Sequence, residues 1–130
     1  MNTRIILPDT EGISEAGAIL RDGGLVAFPT ETVYGLGANA LDAVATKRIY
    51  EAKGRPSDNP MIVHVASIDM LNGVASDVTD KQKAIMSKLW PGPITFVLRK
   101  NPNVPDVTTG GLDTVAVRWP ARREAAEIIE

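Results

Sequence analysis

The sequence contains no cysteine. Disulfide bonds, thiolate metal sites such as zinc fingers and a cysteine nucleophile are therefore all excluded. The absence of cysteine agrees with a reducing compartment, and we expect the protein to be cytoplasmic. A Walker-type G-x-x-x-x-G-K-[ST] motif is also absent, so a nucleoside triphosphate would have to bind without a P-loop.

Long hydrophobic runs are absent as well. Residues 1–8 form a short apolar stretch broken by Pro8, which excludes a signal peptide and a membrane span and predicts a first strand. We therefore expect no membrane partner. The formal net charge of -2 argues against a protein that coats nucleic acid by charge alone, but it leaves room for a local basic patch.

Apolar runs typical of strands alternate along the chain with segments of helical period. Besides the first strand, the pattern predicts strands over residues 25–28, 61–66, 94–98 and 114–119. Helices are predicted after the N-caps Ser14 and Asp42, over residues 80–89 and from residue 121 onward, and residues 101–111 are predicted to be a polar loop. This alternation indicates an α/β fold in which one twisted, mixed sheet is covered by helices on both faces.

The composition, 44% hydrophobic and 23% charged over 130 residues, fits one globular domain with one core. We expect a single domain over residues 1–130. The last predicted helix stops at Glu130 without a cap, glycine or proline. We therefore expect this domain to be incomplete at its C-terminus.

Polar residues are concentrated near the ends of the predicted strands, where sheets of this kind bind ligands. They lie in PTETVYGLG (residues 29–37), in KGRPSDNP (residues 53–60), at His64 within an apolar strand, and in TVAVRWP (residues 114–120). Gly35 and Gly37 suggest a dinucleotide-binding fingerprint only weakly, because Ala40 stands where the third glycine would fall.

Each of these features has a structural alternative. Lys53 and Arg55 either balance a helix dipole or present cations to a phosphate or carboxylate. A lone histidine such as His64 is more often structural than functional. Arg118, between Val117 and Trp119, needs an anionic partner, which is either an internal carboxylate or a ligand.

Four motifs in their order and spacing resemble the YrdC-type threonylcarbamoyl-AMP synthases: PTETVYGLG, KGRPSDNPMIVHV, LWPGPITFVL and TVAVRWP. The resemblance spans about residues 23–120 and implies a YrdC-like fold and a nucleotidyltransferase activity. Such enzymes combine L-threonine, bicarbonate and ATP into threonylcarbamoyl-AMP and pyrophosphate. A downstream transfer complex uses this product to modify adenosine 37 of tRNA. Mg²⁺ is expected with ATP, held by phosphates and water, so no protein metal ligand is predicted.

The resemblance also implies roles for individual residues. It places Thr32 and His64 on L-threonine, with Arg118 on the carboxylate of that substrate. It assigns Arg55, Asn59 and Thr114 to ATP, and it makes Lys53 and Arg55 the catalytic cations. In relatives a Ser-x-Asn motif beyond the last predicted helix completes this set, and the 130 residues end before that position. The fragment alone is therefore expected to have weak activity or none.

Two other classes of function stay open. An RNA-binding module of the same fold is one, since Lys47, Arg48, Lys53 and Arg55 cluster on one predicted helix and its exit. A carbamoyl-adenylate-forming domain of a hydrogenase-maturation protein is the other. Such proteins carry cysteine-rich zinc modules beside this domain, and a chain without cysteine gives no sign of them. The oligomeric state is not predicted.

Overall fold

The structure is a computed structural model that describes residues 3–30, 33–54 and 60–129. Five helices and five strands occur in these ranges. In chain order they are α1 (Thr10–Arg21), β1 (Val26–Phe28), β2 (Gly35–Gly37), α2 (Ala43–Lys53), β3 (Ile62–His64), α3 (Ile68–Val74), α4 (Asp80–Leu89), β4 (Thr95–Arg99), β5 (Thr114–Arg118) and α5 (Arg123–Ile129).

Local signals set several helix ends. The Asp42 carboxylate accepts hydrogen bonds from the first backbone N–H groups of α2, and Gly54 ends that helix in the left-handed region at φ 63°. Thr79 and Gln82 form a reciprocal capping box at the start of α4. The predicted cap at Ser14 is wrong. Asp9 caps α1 instead, because its carboxylate accepts from the Gly12 N–H at 2.8 Å.

The strands form two sheets within the described residues. The larger is mixed and has the order β3-β5-β4, with β3 parallel and β4 antiparallel to β5. The smaller is an antiparallel pair of β1 and β2. The α/β class and the mixed sheet are therefore confirmed, although the strands that the structure describes do not all join one ladder.

The two faces of the three-stranded sheet have different surroundings. Residues such as Val63, Val117 and Leu98 pack on one face against Leu71 of α3 and Met86 of α4 to form the main core. On the opposite face, the Ile62 and Val97 side chains are exposed. Within the described residues, the expected cover on both faces is thus incomplete.

Other expectations for single elements need correction. Residues 3–8 form no strand, so the predicted first strand is wrong for this described part. The patterns missed β2 and α3. The predicted loop over residues 101–111 consists of turns, but Val104, Thr108 and Thr109 are buried. Val104 packs in the main core, and Thr108 Oγ1 donates to the Ala40 carbonyl at 2.8 Å. No described helix combines the length and hydrophobicity that crossing a bilayer requires.

Candidate functional site

A row of three polar residues crosses the three-stranded sheet. Arg118 on the central strand β5 is in register with His64 on β3 and with Thr95 on β4. Residues in register project to the same face, which is the face opposite the main core. His64 and Arg118 are also the last residues of two parallel strands, so they lie together at the edge where ligands bind in such sheets.

Arg118 is half-buried, and a main-chain contact holds its guanidinium. Its Nε donates to the Gly92 carbonyl at 3.3 Å, and the Gly92 N–H in turn donates to the Trp119 carbonyl at 2.8 Å. The turn at residues 91–93 is therefore tied to the end of β5. The guanidinium is planar, so the anchor at Nε fixes the orientation of the whole plane, and a planar fork is the geometry that binds a carboxylate through two donors.

His64 is half-buried, and its contacts include Ile62 and Phe28. Its Nδ1 lies 3.2 Å from the Ile62 carbonyl oxygen of the same strand. The Phe28 ring stands perpendicular to the imidazole, with ring centroids 6.2 Å apart and an interplanar angle of 84°. The imidazole is thus packed against both the main chain of β3 and the end of β1.

The PTETVYGLG segment connects β1 to β2. Thr30 is buried, and its hydroxyl donates to the Val33 carbonyl at 2.6 Å, which links the residues after β1 to those before β2. Gly35 and Gly37 lie inside β2, antiparallel to β1, and not at a strand-to-helix turn. This placement does not fit a dinucleotide-binding fingerprint, in agreement with the missing third glycine.

The predicted ATP residues are placed only in part. Lys53 is exposed at the end of α2, where it also complements the helix dipole. Thr114 is exposed at the start of β5, opposite Arg99. Four residues of strand, about 13 Å, separate it from Arg118. Thr32, Arg55 and Asn59 lie outside the described residues, so their roles stay predictions.

A cavity of about 390 Å³ adjoins His64. Its walls come from α1, β1, β2, α2, β3, α3 and the end of α5, and most lining side chains are apolar, including Phe28, Leu36 and Ile49. Thr46 and Thr108 contribute hydroxyl groups, which lie 3.3 Å apart. Sequence patterns missed Phe28, because an apolar residue within a strand looks like ordinary core.

The described residues contain no group of three or more histidine, aspartate or glutamate side chains that could hold a metal ion.

One cation of the basic cluster expected on α2 makes a contact within the protein. Arg48 donates from Nη1 to the Gly23 carbonyl at 2.7 Å, so this cation ties α2 to the turn before β1. That contact weakens the case for an RNA-binding surface on this helix.

Known proteins resemble this chain over most of its length. The family model Sua5_yciO_yrdC, described as "Telomere recombination", matches residues 18–130. A threonylcarbamoyl-AMP synthase of Pyrococcus abyssi is 57% identical over 115 residues, covering 88% of this chain and 34% of that protein. A protein of the same name from Bacillus subtilis is 51% identical over 119 residues, covering 90% of this chain and 34% of that protein.

The crystal structure of P. abyssi Sua5 complexed with L-threonine has a similar fold. It matches with a TM-score of 0.90 and 54% sequence identity, over 98% of this chain and 36% of that one. The chain thus spans about a third of the length of these relatives.

Proposed function

Because the chain belongs to the Sua5/YciO/YrdC family, we propose that it provides the L-threonine site of a threonylcarbamoyl-AMP synthase. The observation that carries this proposal is the in-register pair of His64 and Arg118 at the ends of two parallel strands. In this proposal Arg118 binds the α-carboxylate of L-threonine, and His64, with Thr32, contacts its amino or hydroxyl group.

The spacing of this pair suits one amino acid. Adjacent strands lie about 4.8 Å apart, and the carboxylate and amino groups of threonine are attached to the same carbon. One substrate molecule can therefore contact both side chains. The complex of P. abyssi Sua5 with L-threonine, 54% identical to this chain, supports the choice of ligand.

The proposed reaction joins three substrates. The amino nitrogen of threonine forms a bond to the carbon of bicarbonate with loss of water, which gives a carbamate. A carbamate oxygen then bonds to the α-phosphorus of ATP while the bond from that phosphorus to the bridging oxygen of the β-phosphate breaks, so pyrophosphate leaves. The product is threonylcarbamoyl-AMP.

The reaction brings negative groups together, so cations and positioning matter more than a nucleophile. Lys53 and Arg55 are proposed to stabilise charge on the phosphates, with Asn59 and Thr114 contacting ATP. Mg²⁺ is proposed to enter with ATP, bound by phosphate oxygens and water. Downstream, a transfer complex would use the product to modify adenosine 37 of tRNA, and the protein is proposed to act in the cytoplasm.

The binding proposal can be tested by isothermal titration calorimetry with the 130-residue chain. L-Threonine should bind, whereas L-threoninol, which lacks the carboxylate, should bind about 10- to 150-fold more weakly, the range expected when a hydrogen-bonded charge is removed. D-Threonine is the stereochemical control. If L-threonine and L-threoninol bind equally, Arg118 does not recognise a carboxylate and the proposed site is wrong.

The catalytic role of Lys53 needs a separate test, because a cation at a helix end also stabilises the helix. Lys53→Ala should weaken ATP binding, measured by calorimetry with Mg²⁺ present. Lys47→Ala, which removes another exposed lysine of α2, is the matched control. Equal ATP affinity in the two variants would leave Lys53 as a helix-end charge.

A further inference from the structure

Phe28 and the glycines of β2 form an arrangement that the predicted site does not explain. Phe28 is buried at the end of β1, and its register partner on β2 is Gly35. A methyl group built at Gly37 would lie 2.6 Å from Cε1 of the Phe28 ring, whereas one built at Gly35 would lie 3.9 Å from Cζ. The ring therefore occupies space that is open because Gly37 has no side chain.

This placement brings the Phe28 ring against the site. The ring stands perpendicular to the His64 imidazole at a centroid distance of 6.2 Å, a geometry that aromatic pairs favour. Neither Gly35 nor Gly37 has a positive φ, so main-chain conformation does not require a glycine at either position. Gly37 is required because a larger side chain would collide with the Phe28 ring.

The contact of the imidazole with the Ile62 carbonyl favours one tautomer. His64 Nδ1 lies 3.2 Å from the Ile62 carbonyl oxygen, and a carbonyl oxygen can only accept a hydrogen bond. A hydrogen bond in this contact therefore requires the proton on Nδ1. In the neutral ring, Nε2 then has the lone pair and acts as the acceptor.

We propose that Phe28 is a positioning residue for His64. Its ring, seated over Gly37, holds the imidazole in the orientation in which Nδ1 donates to the Ile62 carbonyl, so that Nε2 accepts a hydrogen bond from the amino or hydroxyl group of the ligand. The role of Nε2 rests on the proposed threonine site. The orientation of the imidazole by Phe28 does not depend on that site.

The chain contains one histidine, so every imidazole signal in a ¹⁵N nuclear magnetic resonance spectrum belongs to His64. At a pH where the ring is neutral, the ligand-free chain should show a single Nδ1–H tautomer. Gly37→Ala should displace Phe28 and produce a mixture of tautomers. Gly35→Ala, the same substitution in the same strand, has ordinary clearance and should leave the spectrum as in the unmodified chain.

Affinity for L-threonine provides the second measurement. Gly37→Ala should raise the Kd about two- to twelvefold, which corresponds to the loss of one aromatic contact, and Gly35→Ala should not change it. If Gly37→Ala does not fold, Phe28→Leu tests the same contact with both measurements. Phe96→Leu removes a ring that packs on Trp90 and controls for general loss of stability, so its tautomer should stay single.

The outcomes are distinct. An Nε2–H tautomer in the unmodified chain overturns the proposal, as does a folded Gly37→Ala or Phe28→Leu variant with a single Nδ1–H tautomer and unchanged affinity. If the tautomers respond as expected but the unmodified chain does not bind L-threonine, the orientation of His64 by Phe28 is upheld and the proposed function fails.

Discussion

The two faces of the three-stranded sheet are built from alternate residues of the same strands, yet they serve different purposes. Val63, Val117 and Leu98 are buried in the main core, while the next residues along each strand, His64, Arg118 and Arg99, project to the other face. Period-2 alternation therefore separates the residues that stabilise the fold from those proposed to bind substrate. The comparison predicts opposite consequences for substitutions one residue apart.

The largest difference in stability is expected between alanine substitutions at Leu98 and at Val97. Leu98 is 7% exposed on the core face, and Leu98→Ala should lower the free energy of unfolding by about 2–5 kcal/mol because it leaves a cavity. Val97, its neighbour in β4, is 68% exposed on the other face, and Val97→Ala should change the value by about 0.5 kcal/mol or less. Urea unfolding curves measure both. Similar losses would mean that the second face is covered in solution.

Arg118→Ala should have the largest effect on binding. The loss of a charged hydrogen-bonding group should weaken L-threonine binding about 10- to 150-fold. Binding of L-threoninol should stay nearly constant, since that ligand has no carboxylate to lose contact with. Arg99→Ala removes an exposed arginine from the same face and is the control. A similar loss of affinity for both ligands would show that Arg118 acts through folding.

His64→Ala should weaken L-threonine binding less, by about two- to twelvefold, because a hydrogen bond between a neutral ring and the ligand contributes less than a charged one. Ile62→Ala changes the same strand on the same face and should leave the affinity unchanged. Calorimetry on both variants at one pH measures the difference. An equal effect in Ile62→Ala would assign the loss to the shape of β3 and not to the imidazole.

Local chemistry explains which elements could be predicted from the sequence. The ends of α2 are marked by its own caps, Asp42 and Gly54, and the start of α4 is marked by the capping box of Thr79 and Gln82. Both helices could therefore be predicted from local residues. The short helix α3 contains Asn72 and Gly73, which are poor helix formers, and depends on burial of Leu71 and Val74. β2 likewise depends on pairing with β1, because Gly-Leu-Gly has little strand propensity.

The candidate site shows the same division between local and tertiary information. Arg118 and His64 were identifiable because a polar residue inside an apolar strand is unusual. Their register could not be predicted, because a shift of one residue would move either side chain to the other face and only tertiary packing selects the pairing. The contact of Phe28 with His64 depends on the space at Gly37. These residues lie in three separate strands, so the contact could not be predicted from any one of them.

The smallest expected difference concerns two ion pairs at neighbouring residues. The Arg99 side chain is 74% exposed and lies 3.7 Å from Asp77. The Lys100 side chain is 13% exposed and pairs with the exposed carboxylate of Asp106. The hydrogen bond and charge of Lys100 lower the pKa of Asp106 below its usual value. A carboxylate with a lowered pKa in the folded state stabilises the fold above its ordinary pKa, and this contribution is lost as the pH falls through the folded-state value.

Asp106→Asn should therefore reduce stability slightly at pH 7, and the difference from the unmodified chain should shrink to nothing well below the ordinary carboxylate pKa of about 4. Asp77→Asn removes the other carboxylate, whose arginine is largely hydrated, and should leave stability nearly unchanged at pH 7. Thermal melts of the three proteins between pH 2 and pH 7 compare the pairs. If Asp106→Asn differs from the unmodified chain by the same amount at every pH, the asparagine affects the turn at residues 105–111 and not the ion pair with Lys100.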